Sequence, residues 1–324
     1  MREWAFELEL CAHLEARGGL VARQLGAGVV RPGGRVVDVL RVEPGPGFAA
    51  RTGLTADAIP EPVVAADVGV GRWRERRAVV RGLDARPDRA RAAIERAVEV
   101  GFLETTRRRG RTLVRQVARY PDWVGGLTAI ENKPDLDVPG DLSTQLRVDV
   151  SLALVDRVVL ATASYVTRAH LNRLPDPVGV WRFDPETDAL TVVREPTPLP
   201  VDEPGIELVD RHPGRDDVRV VGVEAKARAR RRLAERAYGK GWRPEPPAGC
   251  AHATLQPTAG VGGLPACDHF DRLVDPGLDC GPACPAFAPG VAPPWDRRVL
   301  RDRHSPWVAD PAGRTRTQGS LDRF

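Results

Sequence analysis

The chain has 324 residues, a net charge of +4 and 42% hydrophobic residues, which is long enough for about two domains with a substantial core. No apolar stretch reaches the roughly 20 residues that a membrane-spanning helix needs. The first residues are too charged for a secretory signal, so we expect a cytoplasmic protein. Only three of the 48 basic residues are lysine, which makes each lysine conspicuous: Lys133, Lys226 and Lys240.

The first elements predict the start of an α/β domain. Apolar side chains recur at helical spacing over residues 2–17, and Gly18-Gly19 ends this helix. Two strands are predicted next, at residues 20–24 and 34–42, and the second carries Asp38. Residues 48–70 look irregular, with one further strand predicted at 63–70.

Residues 72–120 are predicted to form a basic insert. The segment from Arg72 to Arg119 holds 15 arginines and six acidic residues, a net charge of +9, which leaves −5 for the rest of the chain. Such a concentration of positive charge is typical of a phosphate-binding module. We predict a helix over residues 89–100, capped by Asp88.

Two strands joined by a basic tip are predicted after this helix. The arginines of the tip are Arg107, Arg108, Arg109 and Arg111. A helix followed by a basic hairpin resembles a winged-helix unit, in which the tip contacts the DNA backbone or minor groove. A solvated charged turn is the alternative interpretation.

The main domain resumes with a buried strand over residues 125–133. Because side chains alternate along a strand, Glu131 and Lys133 should point to the same face. The elements predicted after it are a helix at 141–154, strands at 157–163, 178–183 and 190–193, a linker near 195–217, a strand at 218–223 and a basic helix at 225–237. We interpret the arginines of the last helix as a solvated face.

The chain resembles the core of the PD-(D/E)XK nuclease superfamily in the order of its elements. A helix comes first, then a strand that carries an Asp, a strand that carries Glu-x-Lys, a helix and a further strand. The resemblance covers roughly residues 1–50 and 125–185, and the residues that carry it are Asp38, Glu131, Lys133 and Gln145. It implies a restriction-endonuclease-like mixed sheet flanked by helices. It also implies Mg²⁺ (or Mn²⁺) held by Asp38 and Glu131, with Lys133 orienting or deprotonating the attacking water.

The chemistry agrees with these residue types. Mg²⁺ prefers oxygen ligands and is usually held by one or two carboxylates, and it polarises a phosphoryl group and lowers the pKa of a bound water. A carboxylate of the first helix often completes such a site, and of Glu7 and Glu9 we favour Glu7. Some RecB-type nucleases place Gln-x-x-x-Tyr in the following helix; here Gln145 matches and Asp149 replaces the tyrosine.

Glu-x-Lys by itself is a weak signal. The chain contains a second copy, Glu224-Ala-Lys226, which an arginine-rich helical sequence follows directly. The alternative interpretation of Glu131 and Lys133 is a surface ion pair, which contributes at most about 1 kcal/mol.

Four of the five cysteines fall within 35 residues of the Gly- and Pro-rich C-terminal part: Cys250, Cys267, Cys280 and Cys284. Clustered cysteines in a cytoplasmic chain favour a metal over disulfides. Zn²⁺ held by four thiolates is our first hypothesis, and an iron–sulfur cluster is the second because some RecB-type nucleases carry one. Unligated thiols remain the alternative. Cys11, on the apolar face of the first helix, is predicted to lie in the core.

Over its whole length the chain also resembles an uncharacterised protein family of halophilic archaea, through the strings Ala-Ile-Glu-Asn-Lys-Pro-Asp-Leu and Leu-Asp-Arg-Phe. We predict an α/β protein with a nuclease-like core (1–71 and 121–223), a winged-helix-like insert (72–120) and a Cys-containing C-terminal extension (224–324). The predicted function is a divalent-metal-dependent DNA nuclease with a role in DNA repair or defence. The alternative is a non-catalytic DNA-binding protein or regulator on a degenerate nuclease scaffold.

Overall fold

The computed structural model describes residues 2–31, 33–137, 142–258 and 262–306. In chain order, these residues form α1 (Glu3–Ala16), β1 (Leu20–Gly26), β2 (Val36–Pro44), α2 (Phe48–Leu54), α3 (Glu61–Ala66), β3 (Arg74–Glu75), α4 (Arg76–Gly82), α5 (Pro87–Glu99), β4 (Leu103–Arg108), β5 (Arg111–Gln116), β6 (Val124–Asn132), α6 (Leu142–Leu152), β7 (Arg157–Thr162), α7 (Arg168–Leu171), β8 (Gly179–Asp184), β9 (Ala189–Arg194), β10 (Gly205–His212), β11 (Arg215–Val221), α8 (Val223–Lys240), β12 (Ala253–Gln256), β13 (Leu264–Cys267), β14 (Arg272–Leu273) and α9 (Arg297–His304).

The central feature is a six-stranded mixed sheet in the order β1-β2-β6-β7-β8-β9. Strands β6, β7 and β8 run parallel, whereas β1, β2 and β9 join antiparallel to their neighbours. Strands β6 and β7 are buried along most of their length, as expected for parallel strands that helices cover on both faces. The prediction of a mixed sheet flanked by helices is therefore confirmed.

The two faces of this sheet have separate cores. On one face, Phe6, Leu10 and Leu14 of α1 pack with Val39 and Ile130 of the central strands. The residues next to them in the strands point the other way and pack with α6 and α8. Helix α8 continues as a long buried element because Ala229, Leu233, Ala234 and Ala237 fall on one side of it.

The insert shares a separate core with α3, which precedes it in the chain. Strands β3, β5 and β4 form a three-stranded antiparallel sheet in that order, and α3, α4 and α5 pack against it through Val63, Val79 and Ile94. Helix α5 begins with Pro87 at its first turn, where a missing N–H costs nothing. A third small sheet, β12-β13-β14, lies in the C-terminal part.

Several predictions about single elements were wrong. Residues 63–70 are not a strand, because Val63 and Val64 belong to α3, and the predicted linker at 195–217 contains most of the β10–β11 hairpin. Asp88 does not cap α5, whose cap position is Arg86 without a side-chain hydrogen bond. The predicted helix start at Asp141 lies outside the described residues, as does the Leu-Asp-Arg-Phe string.

The basic helix α8 is also less solvated than predicted. Lys226 is fully buried, and its Nζ donates to the backbone oxygens of Pro200 (3.0 Å) and Glu203 (2.7 Å). Arg230 and Arg232 donate to the backbone oxygens of Leu154 and Gly28. These three cations hold neighbouring loops, whereas Arg228 and Arg236 are exposed on the helix, as predicted.

No helix among the described residues is long and apolar enough to cross a membrane.

Candidate functional site

Asp38 and Glu131 lie side by side at the end of the central sheet. Val39 of β2 pairs with Ile130 of β6. Continuing this antiparallel register by one residue places Asp38 of β2 opposite Glu131 of β6, with both side chains on the same face of the sheet. Asp38 Oδ2 accepts a hydrogen bond of 3.0 Å from the backbone N–H of Asn132. Glu131 is only 6% exposed. The strand order thus places together the two carboxylates that the sequence singled out.

Two further residues complete this group, and the sequence did not predict either role. Arg35 precedes β2, and its Nη2 donates to Glu131 Oε2 at 2.6 Å. The same guanidinium donates from Nη2 and Nε to both carboxylate oxygens of Asp149, at 2.7 and 2.8 Å. Asp149 lies on α6 one turn after Gln145, which is half-buried. Arg35 therefore links the sheet edge to α6.

Helix α1 supplies Glu7, the residue that we favoured over Glu9. Glu7 is buried, accepts a short hydrogen bond from Arg23 Nε and accepts another of 2.9 Å from Gln24 Nε2. The same Gln24 amide approaches Asp38 Oδ1 at 3.4 Å. Gln24 has a φ of +53°, a conformation that costs free energy for a non-glycine residue and persists only where its surroundings fix it.

Lys133 does not contact Glu131 through its side chain. Its Nζ lies 3.3 Å from Glu3 Oε2 at the start of α1, and a quarter of its side chain is exposed. The neighbouring Asn132 donates from Nδ2 to the backbone oxygen of Glu3 at 3.1 Å. Glu3, which we did not single out, therefore connects Lys133 to the site.

The carboxylates of this site are short of positive charge. We call Glu7, Asp38, Glu131 and Asp149 the acidic cluster. Among the described side chains, only two guanidinium groups donate to it, those of Arg23 and Arg35. Four carboxylates facing two arginines can either hold protons or attract a further cation.

The pKa values follow this imbalance. Burial, and after it the charge of Asp38, raise the pKa of Glu131 to about 7. Burial also raises the pKa of Asp38, Asp149 and Glu7, against the opposing effect of their hydrogen-bond donors. Although burial alone would lower it, the hydrogen bonds and charges of Asp149 and Glu131 hold the pKa of Arg35 above its ordinary value. The cluster is thus protonated more easily than ordinary carboxylates.

No three His, Cys, Asp or Glu side chains of the described residues are arranged as a ready metal site. This does not decide the question for Mg²⁺, which commonly uses one or two protein carboxylates together with waters and substrate phosphates. Asp38 and Glu131 are adjacent carboxylates with raised pKa values, and both face the same side of the sheet. Their chemistry fits a hard divalent cation.

The second Glu-x-Lys copy has no comparable surroundings. Glu224 is exposed in the first turn of α8, and Lys226 is buried on the same helix, bonded to backbone oxygens. The two residues lie on a helix and not at a strand end. The two copies therefore differ in their surroundings, and only Glu131 lies beside a second strand-borne carboxylate.

The basic tip of the insert forms one wall of a large open cavity. This cavity has a volume of about 940 Å³, and we call it the arginine groove after six of its lining residues, Arg76, Arg77, Arg81, Arg91, Arg107 and Arg111. Among the described residues, Arg76 pairs with Glu95 and Arg111 with Glu75, while the other four form no ion pair.

The four predicted arginines of the tip do not all face this groove. Arg107 and Arg111 line it, whereas Arg108 lies over the ring of Trp73, 5.9 Å from its centre. Arg109, with a φ of +48°, precedes Gly110 at the exposed turn. The sequence analysis did not single out the groove arginines of α4 and α5, and the concentration of 15 arginines between Arg72 and Arg119 was the available signal.

The four C-terminal cysteines line a second, much smaller cavity. Its volume is about 30 Å³, and Cys250, Cys267, Cys280 and Cys284 all contribute to its wall. Burial raises the pKa of the Cys280 thiol, and Asp279 and the other three cysteines raise it further by their proximity. Cys11 is fully buried in the core of α1, as predicted.

The fold and site thus define an α/β protein with a largely buried acidic cluster at the end of a mixed sheet and a separate arginine-lined insert. The chain belongs to the family described as "Family of unknown function (DUF5787)", which it matches over residues 20–289. No curated protein matches it, and no solved structure does.

Proposed function

We propose that this protein is a divalent-metal-dependent DNA nuclease that hydrolyses phosphodiester bonds at the acidic cluster. The observation that carries the proposal is the adjacency of Asp38 and Glu131 across the β2–β6 pair, with raised pKa values and too few arginines to neutralise the cluster. Carboxylates held in this state gain stability from a bound cation.

The bound metal would supply Lewis-acid stabilisation of the phosphoryl group and a more acidic water. Asp38 and Glu131 are the residues that would hold it. Lys133 lies two residues beyond Glu131 and is partly exposed, so it can reach a phosphate that approaches the acidic cluster. When no phosphate is present, its partner is Glu3. A positive charge in that place stabilises the charge that develops on the phosphate.

The insert supports DNA as the substrate. Helix α5 and the β4–β5 hairpin that follows it resemble a winged-helix unit, in which α5 would be the recognition helix and β4–β5 the wing. The arginine groove adds unpaired guanidinium groups, which bind phosphate oxygens well because of their planar donor geometry. We therefore assign the groove to the DNA backbone.

A second candidate function, DNA binding without catalysis, is favoured by one specific observation. Arg35 already donates to both Glu131 and Asp149, so its guanidinium supplies part of the positive charge that a metal would supply. In this alternative the acidic cluster is a structural charge network on a former nuclease scaffold, and the arginine groove alone carries the function.

The experiment is cleavage of plasmid and linear DNA by the purified chain with Mg²⁺ or Mn²⁺. The variants are Asp38→Asn, Glu131→Gln and Lys133→Ala, with Glu224→Gln as the matched control from the second, exposed Glu-x-Lys copy. We expect about a 100-fold loss of rate or more for each of the three, and no change for the control.

Two outcomes would contradict the proposal in different ways. Cleavage that survives all three substitutions would place the active site elsewhere. DNA binding without metal-dependent cleavage in the wild-type chain would support the non-catalytic alternative. Circular dichroism and thermal melting of each variant establish that a lost rate is not lost folding.

A further inference from the structure

Four of the five cysteines surround one very small cavity, although up to 34 residues separate them in the sequence. The cavity has a volume of about 30 Å³, which suffices for a single water molecule or ion and for nothing larger. The remaining cysteine, Cys11, lies in the core beneath α1. The clustering is therefore specific to the C-terminal part of the chain.

The backbone brings the four residues together through three separate connections. Cys267 ends β13, opposite Ala253 of β12, and Cys250 forms an isolated bridge with Pro289. A turn places Cys284 near Cys280, because the backbone N–H of Cys284 donates to the oxygen of Gly281 at 2.9 Å. Three separate segments of the chain thus bring their cysteines to the same small cavity.

The segment that contains the β12-β13-β14 sheet and the four cysteines has little secondary structure or apolar burial to stabilise it. Its strands are four, four and two residues long, and Leu264, Ala266 and Leu273 are the residues of its sheet that join a hydrophobic core. Small units with so little apolar burial usually depend on disulfides or a structural metal. The described cysteines form no disulfide, and four thiols around one small cavity fit a structural metal.

We propose that Cys250, Cys267, Cys280 and Cys284 bind one structural Zn²⁺ as thiolates. Each thiol gives up its proton to solvent as its Zn–S bond forms, and no group is oxidised or reduced. Four thiolates favour Zn²⁺ strongly over the hard cation Mg²⁺. The site is separate from the acidic cluster, so its test does not depend on the outcome of the nuclease proposal.

The four side chains surround the cavity without yet forming a closed metal site among the described residues. Cysteine has one side-chain torsion, and rotating it moves Sγ between staggered positions while the backbone stays in place. The proposal therefore requires rotation of thiols about a cavity that already exists.

The test is the metal content of the wild-type chain, purified without added metal and measured by inductively coupled plasma mass spectrometry. We expect one Zn²⁺ per chain, released by a mercurial that titrates thiols, and thiolate-to-metal charge-transfer bands after replacement with Co²⁺. Metal-free protein with reactive thiols, pairwise disulfides in the intact mass, or iron with inorganic sulfide would each overturn the zinc site.

Single variants then assign the ligands. Cys280→Ser and Cys284→Ser should bind Co²⁺ at least about 10-fold more weakly or lose it, while Cys11→Ala, the matched control outside the cavity, should keep one Zn²⁺ per chain. If a serine variant is insoluble, alkylation of the wild-type chain answers the same question. A chelator should then expose four cysteines to alkylation and leave buried Cys11 protected; five equally protected cysteines would contradict the site.

Discussion

At the residue scale, the most consequential group is Glu131, whose pKa burial and Asp38 raise to about 7. Its pH dependence has the opposite sign to that of an ordinary paired carboxylate. Because the folded state binds the proton more tightly than the unfolded chain, Glu131 contributes stability below pH 4.5, its unperturbed pKa, and this contribution is lost as the pH rises through about 7.

We therefore expect Glu131→Gln to flatten the pH profile of stability. Between pH 4.5 and 7.5 the free energy of unfolding of the wild type should fall relative to that of the variant, by up to about 3 kcal/mol. Urea unfolding of both proteins at several pH values, without divalent cations, measures the difference. Parallel profiles would show that Glu131 is ionised throughout this range.

The same residue gives a prediction for metal binding. A carboxylate that must lose its proton before it binds Mg²⁺ binds more tightly as the pH rises. Below the pKa of Glu131, we expect the apparent affinity for Mg²⁺ to rise about 10-fold per pH unit and to level off above it. Calorimetric titration at several pH values tests this, and a pH-independent affinity would remove Glu131 from the metal site.

At the scale of elements, the insert should behave as a phosphate-binding module. Arg91 of α5 and Arg107 of β4 line the arginine groove from different elements and form no ion pair among the described residues. We expect Arg91→Ala and Arg107→Ala each to weaken DNA binding for all sequences and to lower the slope of log K against log salt by about 1. Fluorescence anisotropy over a range of salt concentrations measures both.

The matched control is Arg89→Ala, which removes an equally exposed arginine of α5 that does not line the groove. Its slope should equal that of the wild type. An equal loss in all three variants would indicate that only the net charge of the insert matters and that the groove is not the binding surface.

At the scale of the whole molecule, one buried network joins α2 and α8 to the segments that precede α3 and β6. Glu235 of α8 accepts two hydrogen bonds from Arg51 of α2, at 2.8 and 2.7 Å, and both side chains are almost completely buried. The indole N–H of Trp123 and the backbone N–H of Ile59 donate to the same carboxylate, each at 3.0 Å. Each buried charge is therefore matched by its partners.

Removing one partner should be costly because the other charge remains buried. We expect Glu235→Gln to reduce the free energy of unfolding by about 3–5 kcal/mol. Glu245→Gln is the control, since Glu245 pairs with Arg297 on the surface and its loss should cost no more than about 0.5 kcal/mol. Denaturant unfolding compares them, and similar losses would mean that the buried network contributes no more than a surface pair.

The sequence predicted those parts of the fold that periodicity describes. The apolar strands of the central sheet and the amphipathic α1 and α5 lie close to their predicted positions because local pattern decided them. Val63 and Val64 favoured a strand by propensity, yet packing of α3 in the core of the insert made them helical. The β10 strand was missed because Pro and Asp suggested a linker.

The candidate site was predictable only in part, for a similar reason. Asp38 and Glu131 were singled out by the order of elements along the chain and by the resemblance to a nuclease core. The role of Arg35 depends on contacts with residues 96 and 114 positions away, and nothing local to Arg35 indicates them. Asp149 looked like a failed match to a tyrosine, whereas its carboxylate is the bidentate partner of that arginine.

The buried pair of Arg51 and Glu235 also bears on the order in which the chain can fold as it is synthesised. The two residues are 184 positions apart, so Arg51 leaves the ribosome long before its counter-charge has been made. One face of the sheet, too, is covered only in part, by α6, until α8 is complete. A nascent chain that stops before residue 223 should be degraded readily by added protease, and the native core closes only when nearly three quarters of the protein has been translated.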